Sequence, residues 1–173
     1  MNKFEKVSFN RFVDDMDGTF YHTNFDYILY LSSTRIYDEI KLPQRATKAS
    51  AGYDFYSPYS FDLEPGQTIK IPTGVRCQLD SDKFLAIVPR SSLGFKYRLQ
   101  LDNTMGVVDS DYYNADNEGH IFIKVTNDSR ENKLLQINQG DAFAQGIILP
   151  YYLTDDDNVS ETRVGGMGST DKK

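Results

Sequence analysis

The sequence predicts an all-β fold of the sandwich, jelly-roll or barrel type, and three observations carry the prediction. From about residue 50 onward the apolar residues come in short runs without a sustained helical period. Turn residues separate these runs, and the runs recur about every ten residues, the spacing of strands in an antiparallel β domain.

Each element follows from its own stretch. Glu64-Pro65-Gly66 separates FDL from TIKI, and Pro72-Thr73-Gly74 separates TIKI from VRCQL. LDSD at 79–82 leads into FLAIV at 84–88. IFIKV at 121–125 and KLLQI at 133–137 flank the polar NDSREN, and Asn138-Gln139-Gly140-Asp141 leads into AFAQGIIL. The first 40 residues are aromatic-rich, with mixed periodicities that yield no assignment. Their acidic DDMDG at 14–18 lacks the later glutamate of a calcium loop and reads as a solvated turn. After Pro150 the chain turns acidic and then glycine-rich, the composition of a mobile arm. The expected organisation is an N-terminal extension over 1–40, a β core over 41–153 and a flexible C-terminal arm over 154–173.

Bulk properties narrow the function. The 173 residues suit one domain with a short appendage. Asp and Glu outnumber Lys and Arg by 25 to 19, a formal charge of -6, which argues against a duplex nucleic acid partner. A single cysteine, Cys77, excludes an internal disulfide. With no signal peptide and no apolar membrane span, a cytoplasmic protein is expected. His22, His120 and Cys77 cannot assemble the usual zinc sites, leaving oxygen ligands and hard cations such as magnesium.

Four stretches carry polar groups that a β framework does not need. In ASAGYDF at 49–55, Asp54 follows a glycine and a tyrosine and is either a turn cap or a functional carboxylate. In PRSSLGF at 89–95, Pro89 ends a strand, and Arg90, Ser91 and Ser92 offer a planar fork of donors and two hydroxyls in a turn suited to phosphate oxygens. NTMGVVDSDYYN at 103–114 runs an apolar step into Asp109-Ser110-Asp111 and two tyrosines. It reads equally as a water-activating carboxylate beside an aromatic or as an Asx-turn closing a hairpin. In GDAFAQGIIL at 140–149, Gln145 interrupts an apolar strand and must find partners in backbone or ligand. The chain ends in RVGGMGST, where Gly165, Gly166 and Gly168 surround Met167 in a segment costly to order without something bound.

In this order and at this spacing, ASAGYDF, PRSSLGF, NTMGVVDSDYYN, GDAFAQGIIL and RVGGMGST resemble the five motifs of the homotrimeric dUTP pyrophosphatases (dUTPases). The resemblance covers about residues 41–170 and is strongest to the forms of Gram-positive bacteria and their phages. It implies a jelly-roll trimer whose active sites each draw on three subunits: the first, second and fourth motifs from one, the third from a neighbour, the fifth from the remaining one. It further implies hydrolysis of dUTP to dUMP and pyrophosphate with magnesium on the triphosphate.

Carried over by position, Asp109 matches the base that activates water, and Asp54 the carboxylate that holds magnesium through its waters. Arg90, Ser91 and Ser92 match the residues that organise the site and meet phosphate, with Gln145 a further phosphate-side contact. Asn103, Gly106 and Tyr112 match the nucleoside pocket, the Tyr112 ring packing where a ribose 2′-hydroxyl would clash. Arg163, Gly166, Met167, Gly168 and Ser169 match the lid that closes over bound nucleotide.

Departures accompany the match. Met167 stands where the family usually has a base-stacking phenylalanine, Asn114 stands where a glycine is common, and ADNEG before HIFIKV looks like an insertion. Residues 1–40 have no counterpart in the minimal family core. The related dCTP deaminases share the fold and an RSS-type second motif, but VVDSDY looks like the hydrolase. For a phage-encoded chain, the extra N-terminal segment allows an alternative role in binding a host protein, with nucleotide as the switch.

Overall fold

The structure, a computed structural model, describes residues 1–17, 26–163 and 165–166. In chain order it runs β1 (Lys3–Lys6), α1 (Phe9–Asp17), α2 (Asp26–Glu39), β2 (Gln44–Arg45), β3 (Tyr53–Tyr56), β4 (Phe61–Leu63), β5 (Thr68–Pro72) and β6 (Val75–Gln78). It continues with β7 (Lys83–Pro89), α3 (Ser91–Tyr97), β8 (Leu99–Leu101), β9 (Gly106–Val108), a 3-10 turn (Ser110–Asn114), β10 (Phe122–Asn127), β11 (Leu135–Ile137) and β12 (Ala142–Pro150). The fold is the expected mostly-β jelly roll.

The main sheet has the order β2-β3-β12-β7-β9, every pairing antiparallel. β7 lies inside it with a partner on each edge, and consecutive Leu85, Ala86 and Ile87 are all buried, so both of its faces are covered. β10 shows the other pattern, Ile123 and Val125 facing in and Lys124 facing out. β2 and β3 pair as neighbours in sequence, but most other partners are distant. β4 pairs with β11, β5 with β10 and β6 with β1, so the turns that separate the runs reverse the chain between sheets.

The N-terminal segment contains structure that mixed periodicity left unassigned. β1 extends the edge of β6, and Val7, Phe12 and Met16 are buried in the same apolar cluster as Phe55, Leu85 and Phe143. Two expectations are corrected. Asp14, Asp15 and Asp17 lie within α1 and not in a solvated turn, because Phe12 and Met16, four residues apart, share the face that packs on the core. Ser91 and Ser92 open helix α3 and do not sit in a simple turn, with the Leu93 and Gly94 amides bonding back to the Arg90 carbonyl. No helix among the described residues is long and apolar enough to cross a membrane.

Candidate active site

Asp54, Arg90, Ser91, Ser92 and Gln145 line one cavity of ≈ 480 Å³. Strand register brings them together. Asp54 on β3 stands opposite Gln145 on β12, Gln145 in turn stands opposite Val88 on β7, and Arg90 directly follows β7. A register shift in β12 between Ala142 and Ala144 lies just before Gln145, the kind of bulge that re-aims a side chain.

The Asp54 carboxylate, 15% exposed, meets Arg90 Nε at 3.1 Å, and Arg90 Nη1 donates to the Ala142 carbonyl at 3.3 Å. The guanidinium is therefore aimed before any ligand arrives. Gln145 Nε2 donates to the Pro89 carbonyl at 3.3 Å, and its Oε1 would lie 2.4 Å from a Cβ on Gly52, so the glycine makes room for the amide. Asp54 is thus a mid-strand carboxylate rather than a turn cap. A pre-aimed planar donor with two hydroxyls and an amide beside it suits phosphate oxygens.

A second cavity, of ≈ 170 Å³, is lined by Asn103, Gly106, Asp109, Tyr112, Phe122 and Arg163 among others. Asp109 is the residue before the 3-10 turn and makes no side-chain cap to it. The hairpin-closing Asx-turn reading does not hold, because both carboxylates of the DSD run are taken by one guanidinium. Arg163 Nη2 meets Asp109 Oδ2 at 2.6 Å, Arg163 Nε meets Asp111 Oδ1 at 2.9 Å, and the guanidinium carbon lies 5.7 Å from the Tyr112 ring centroid.

Tyr112 is buried and held at its hydroxyl from two sides: it donates to the His120 carbonyl at 2.8 Å and accepts from Asn117 Nδ2 at 2.7 Å. Burial raises its phenol above the ordinary value, opposed by the Asn117 hydrogen bond.

The expected residues therefore form two groups with no shared lining residue. The first, second and fourth motifs meet in the larger cavity, and the third meets Arg163 in the smaller one. The resemblance puts Arg163 and Asp109 on different chains, yet within this single chain they are paired, as two carboxylates within reach of one cation demand. Gly166 lies near Asn117, while Met167, Gly168 and Ser169 fall outside the described residues.

Asn117 and His120 join the site without standing out in the sequence as parts of one, and Asp111, noted there only as part of the DSD run, joins through Arg163. Asn117 and His120 act through a loop contact to Tyr112, for which spacing carries no signal. Among the described residues, no group of three or more His, Cys, Asp or Glu gathers to hold a metal. Asp54 alone fits magnesium only in company with ligand oxygens and water, the usual donor set for that ion on a nucleotide.

Comparison with known proteins identifies the family. The dUTPase family profile matches residues 38–171. The deoxyuridine 5'-triphosphate nucleotidohydrolase of Lactococcus lactis is 38% identical over 134 residues, 76% of this chain and 88% of that protein. The crystal structure of the Streptococcus mutans dUTPase superposes with a TM-score of 0.63 at 29% identity, covering 88% of this chain and 98% of the other. A dUTPase from phage phi11 of S. aureus, described with a structural magnesium ion, shares the fold at a TM-score of 0.59 and 24% identity, covering 72% of this chain and 92% of its own. Five ordered motifs, two pockets built from them and a matching family profile lead to one conclusion: the chain belongs to the dUTPase family.

Proposed function

We propose that the protein hydrolyses dUTP to dUMP and pyrophosphate, with the triphosphate bound along the Asp54–Arg90–Gln145 cavity and the deoxyuridine in the Asn103–Tyr112 pocket. The observation that carries this reading is the division of the first four motifs and Arg163 between two separate cavities. A phosphate cleft and a nucleoside pocket on one chain become a single site when neighbouring chains bring complementary halves together, so the working form is a homotrimer. In this reading residues 41–153 are the β core, 154–173 the arm that reaches a neighbouring site, and 1–40 an extension fused to the core. The single buried thiol of Cys77 suits a reducing cytoplasm.

Asp109 is the base that orients and deprotonates the attacking water, a role worth on the order of 10² to 10⁴-fold. Its pairing with Arg163 suggests how it is held until substrate binds. Phosphate oxygens draw the guanidinium away, leaving the carboxylate free to accept a proton while the arm covers the nucleotide. Arg90, held by Asp54 and the Ala142 carbonyl, meets the charge on the transferred phosphorus, and Ser91, Ser92 and Gln145 fix the chain of phosphates. Tyr112 packs against the sugar, and Asn103 and Gly106 border the base. Magnesium held by Asp54 through water would neutralise triphosphate charge. The buried apolar side chains of residues 1–16 are spent on the core, which favours this enzymatic reading over docking of a host protein by that segment.

The test is pyrophosphate release from dUTP, dCTP, dTTP and UTP, with and without magnesium. Magnesium-dependent release from dUTP alone is expected, from a particle with about three times the chain mass of 19.8 kDa in light scattering. Ammonia from dCTP without pyrophosphate from dUTP would instead identify a deaminase.

A further inference from the structure

We propose that helix α1 is a positioning element of the nucleoside pocket, in which Asp15 and Glu118 set Tyr112 against the sugar by clamping the loop 117–120 from its outer side. The inference rests on the assignment of Tyr112 to that pocket.

The loop has two faces. On the outer face the Glu118 carboxylate receives the Ser8 amide at 2.7 Å and the Ser8 hydroxyl at 2.6 Å, while that hydroxyl accepts from the Arg11 amide at 3.2 Å. Ser8 thereby caps the first turn of α1, and the loop holds the cap. Two turns on, Asp15 Oδ2 lies 2.6 Å from His120 Nδ1. His120 is fully buried, and its Nε2 accepts from the Gly74 amide at 2.8 Å. That bond sets the tautomer: Nδ1 carries the hydrogen and donates it to Asp15. Arg11 holds Asp15 through Nε at 3.0 Å and Nη2 at 2.8 Å, so the acceptor is itself fixed.

The inner face meets the tyrosine turn. The His120 carbonyl takes the Tyr112 hydroxyl, Asn117 donates to the same oxygen, and Gly119 packs so closely that a Cβ would stand 2.7 Å from both the Tyr112 carbonyl oxygen and Tyr113 Cα. A shift of the loop thus moves the Tyr112 ring. The polar contacts of α1 to this loop therefore act on substrate geometry in addition to the burial of Phe12 and Met16.

The experiment compares Asp15→Ala, Asp15→Asn and Glu118→Gln with the wild-type full-length chain, reading kcat and KM for dUTP and UTP alongside Tm. Asp15→Ala should raise KM for dUTP about tenfold with kcat changed less than about twofold, and should narrow the dUTP-over-UTP preference in kcat/KM by about tenfold. Asp15→Asn, whose amide oxygen still accepts from His120, should restore the preference to within about threefold of wild type. Glu118→Gln should narrow it in the same direction, and it decides the matter if Asp15→Ala does not fold at the assay temperature. A folded Asp15→Ala or Glu118→Gln that loses activity on both nucleotides equally, with an unchanged preference, overturns the inference and leaves α1 a stabilising element only. Wild-type chain that does not hydrolyse dUTP defeats instead the pocket assignment on which the inference stands.

Discussion

Replacing Gly119 by alanine measures how tightly the tyrosine turn and its loop are packed. The residue has φ +68°, and a Cβ would stand 2.7 Å from the Tyr112 carbonyl oxygen, 2.7 Å from Tyr113 Cα and 3.0 Å from the Tyr113 carbonyl oxygen. Left-handed backbone costs a residue with a Cβ about 1–2 kcal/mol. Contacts with backbone atoms cannot be relieved by a rotamer change, and overpacking of this kind adds about 1–3 kcal/mol. The smaller entropy of alanine in the unfolded chain returns about 0.4–1 kcal/mol. The balance is a destabilisation of about 3 kcal/mol, or about 6–12 °C in Tm for a chain of this size.

Gly66→Ala is the control. Its φ is +85°, but a Cβ there would meet nothing within 4 Å, so only the backbone cost and its partial return remain. The control should lose about 0.5–1 kcal/mol, or about 1–4 °C. Scanning calorimetry on both variants isolates the steric part as the difference of the two shifts. Equal shifts would refute the claim that the loop presses on the tyrosine turn.

Other expectations follow from the same contacts. Asp109→Asn should abolish dUTP hydrolysis while nucleotide affinity changes little, and turnover above about a tenth of wild type removes Asp109 from its role as base. Burial pushes the Cys77 thiol up to about 12, so iodoacetamide at mildly alkaline pH should leave it unmodified in the native protein and label it after denaturation; rapid native labelling contradicts this. Burial alone would raise the Asp15 carboxyl, but the His120 and Arg11 contacts outweigh it and hold the group below its ordinary value of 3.8. A carboxyl depressed on folding contributes stability above its unfolded value and loses it as pH falls through the folded one, so this contribution should start to fade near about pH 4 and be gone only below the folded value. Urea midpoints followed across that range should fall less steeply with acid in Asp15→Asn than in wild type, and identical slopes would contradict the assignment.

The strands around FDL, TIKI, VRCQL, FLAIV, IFIKV, KLLQI and AFAQGIIL are readable in the sequence because short apolar runs and turn residues are local properties, as in β10, where Ile123 and Val125 face in and Lys124 faces out; β8 (Leu99–Leu101) and β9 (Gly106–Val108) are not. The candidate site was readable as a set of chemistries for the same reason. Arginine, paired carboxylates and an amide inside apolar runs stand out against a β background at Arg90, Asp109, Asp111 and Gln145.

Tertiary structure alone decided the partners. β4 closes on β11 and β5 on β10 because burial of opposing faces, rather than closeness in sequence, selects the pairing. It also decided that Asp54 and Gln145, ninety-one positions apart, face each other across a ladder, and that Arg163 lies on both carboxylates of the DSD run. The N-terminal segment shows the division most clearly. Its acidic run reads as a solvated turn because isolated carboxylates favour water; the burial of Phe12 and Met16 makes it helix, and Asp15 is tolerated in a partly buried place there because Arg11 and a histidine 105 positions away compensate it. Local propensity is written residue by residue, whereas compensation of a buried charge depends on what the rest of the chain brings next to it.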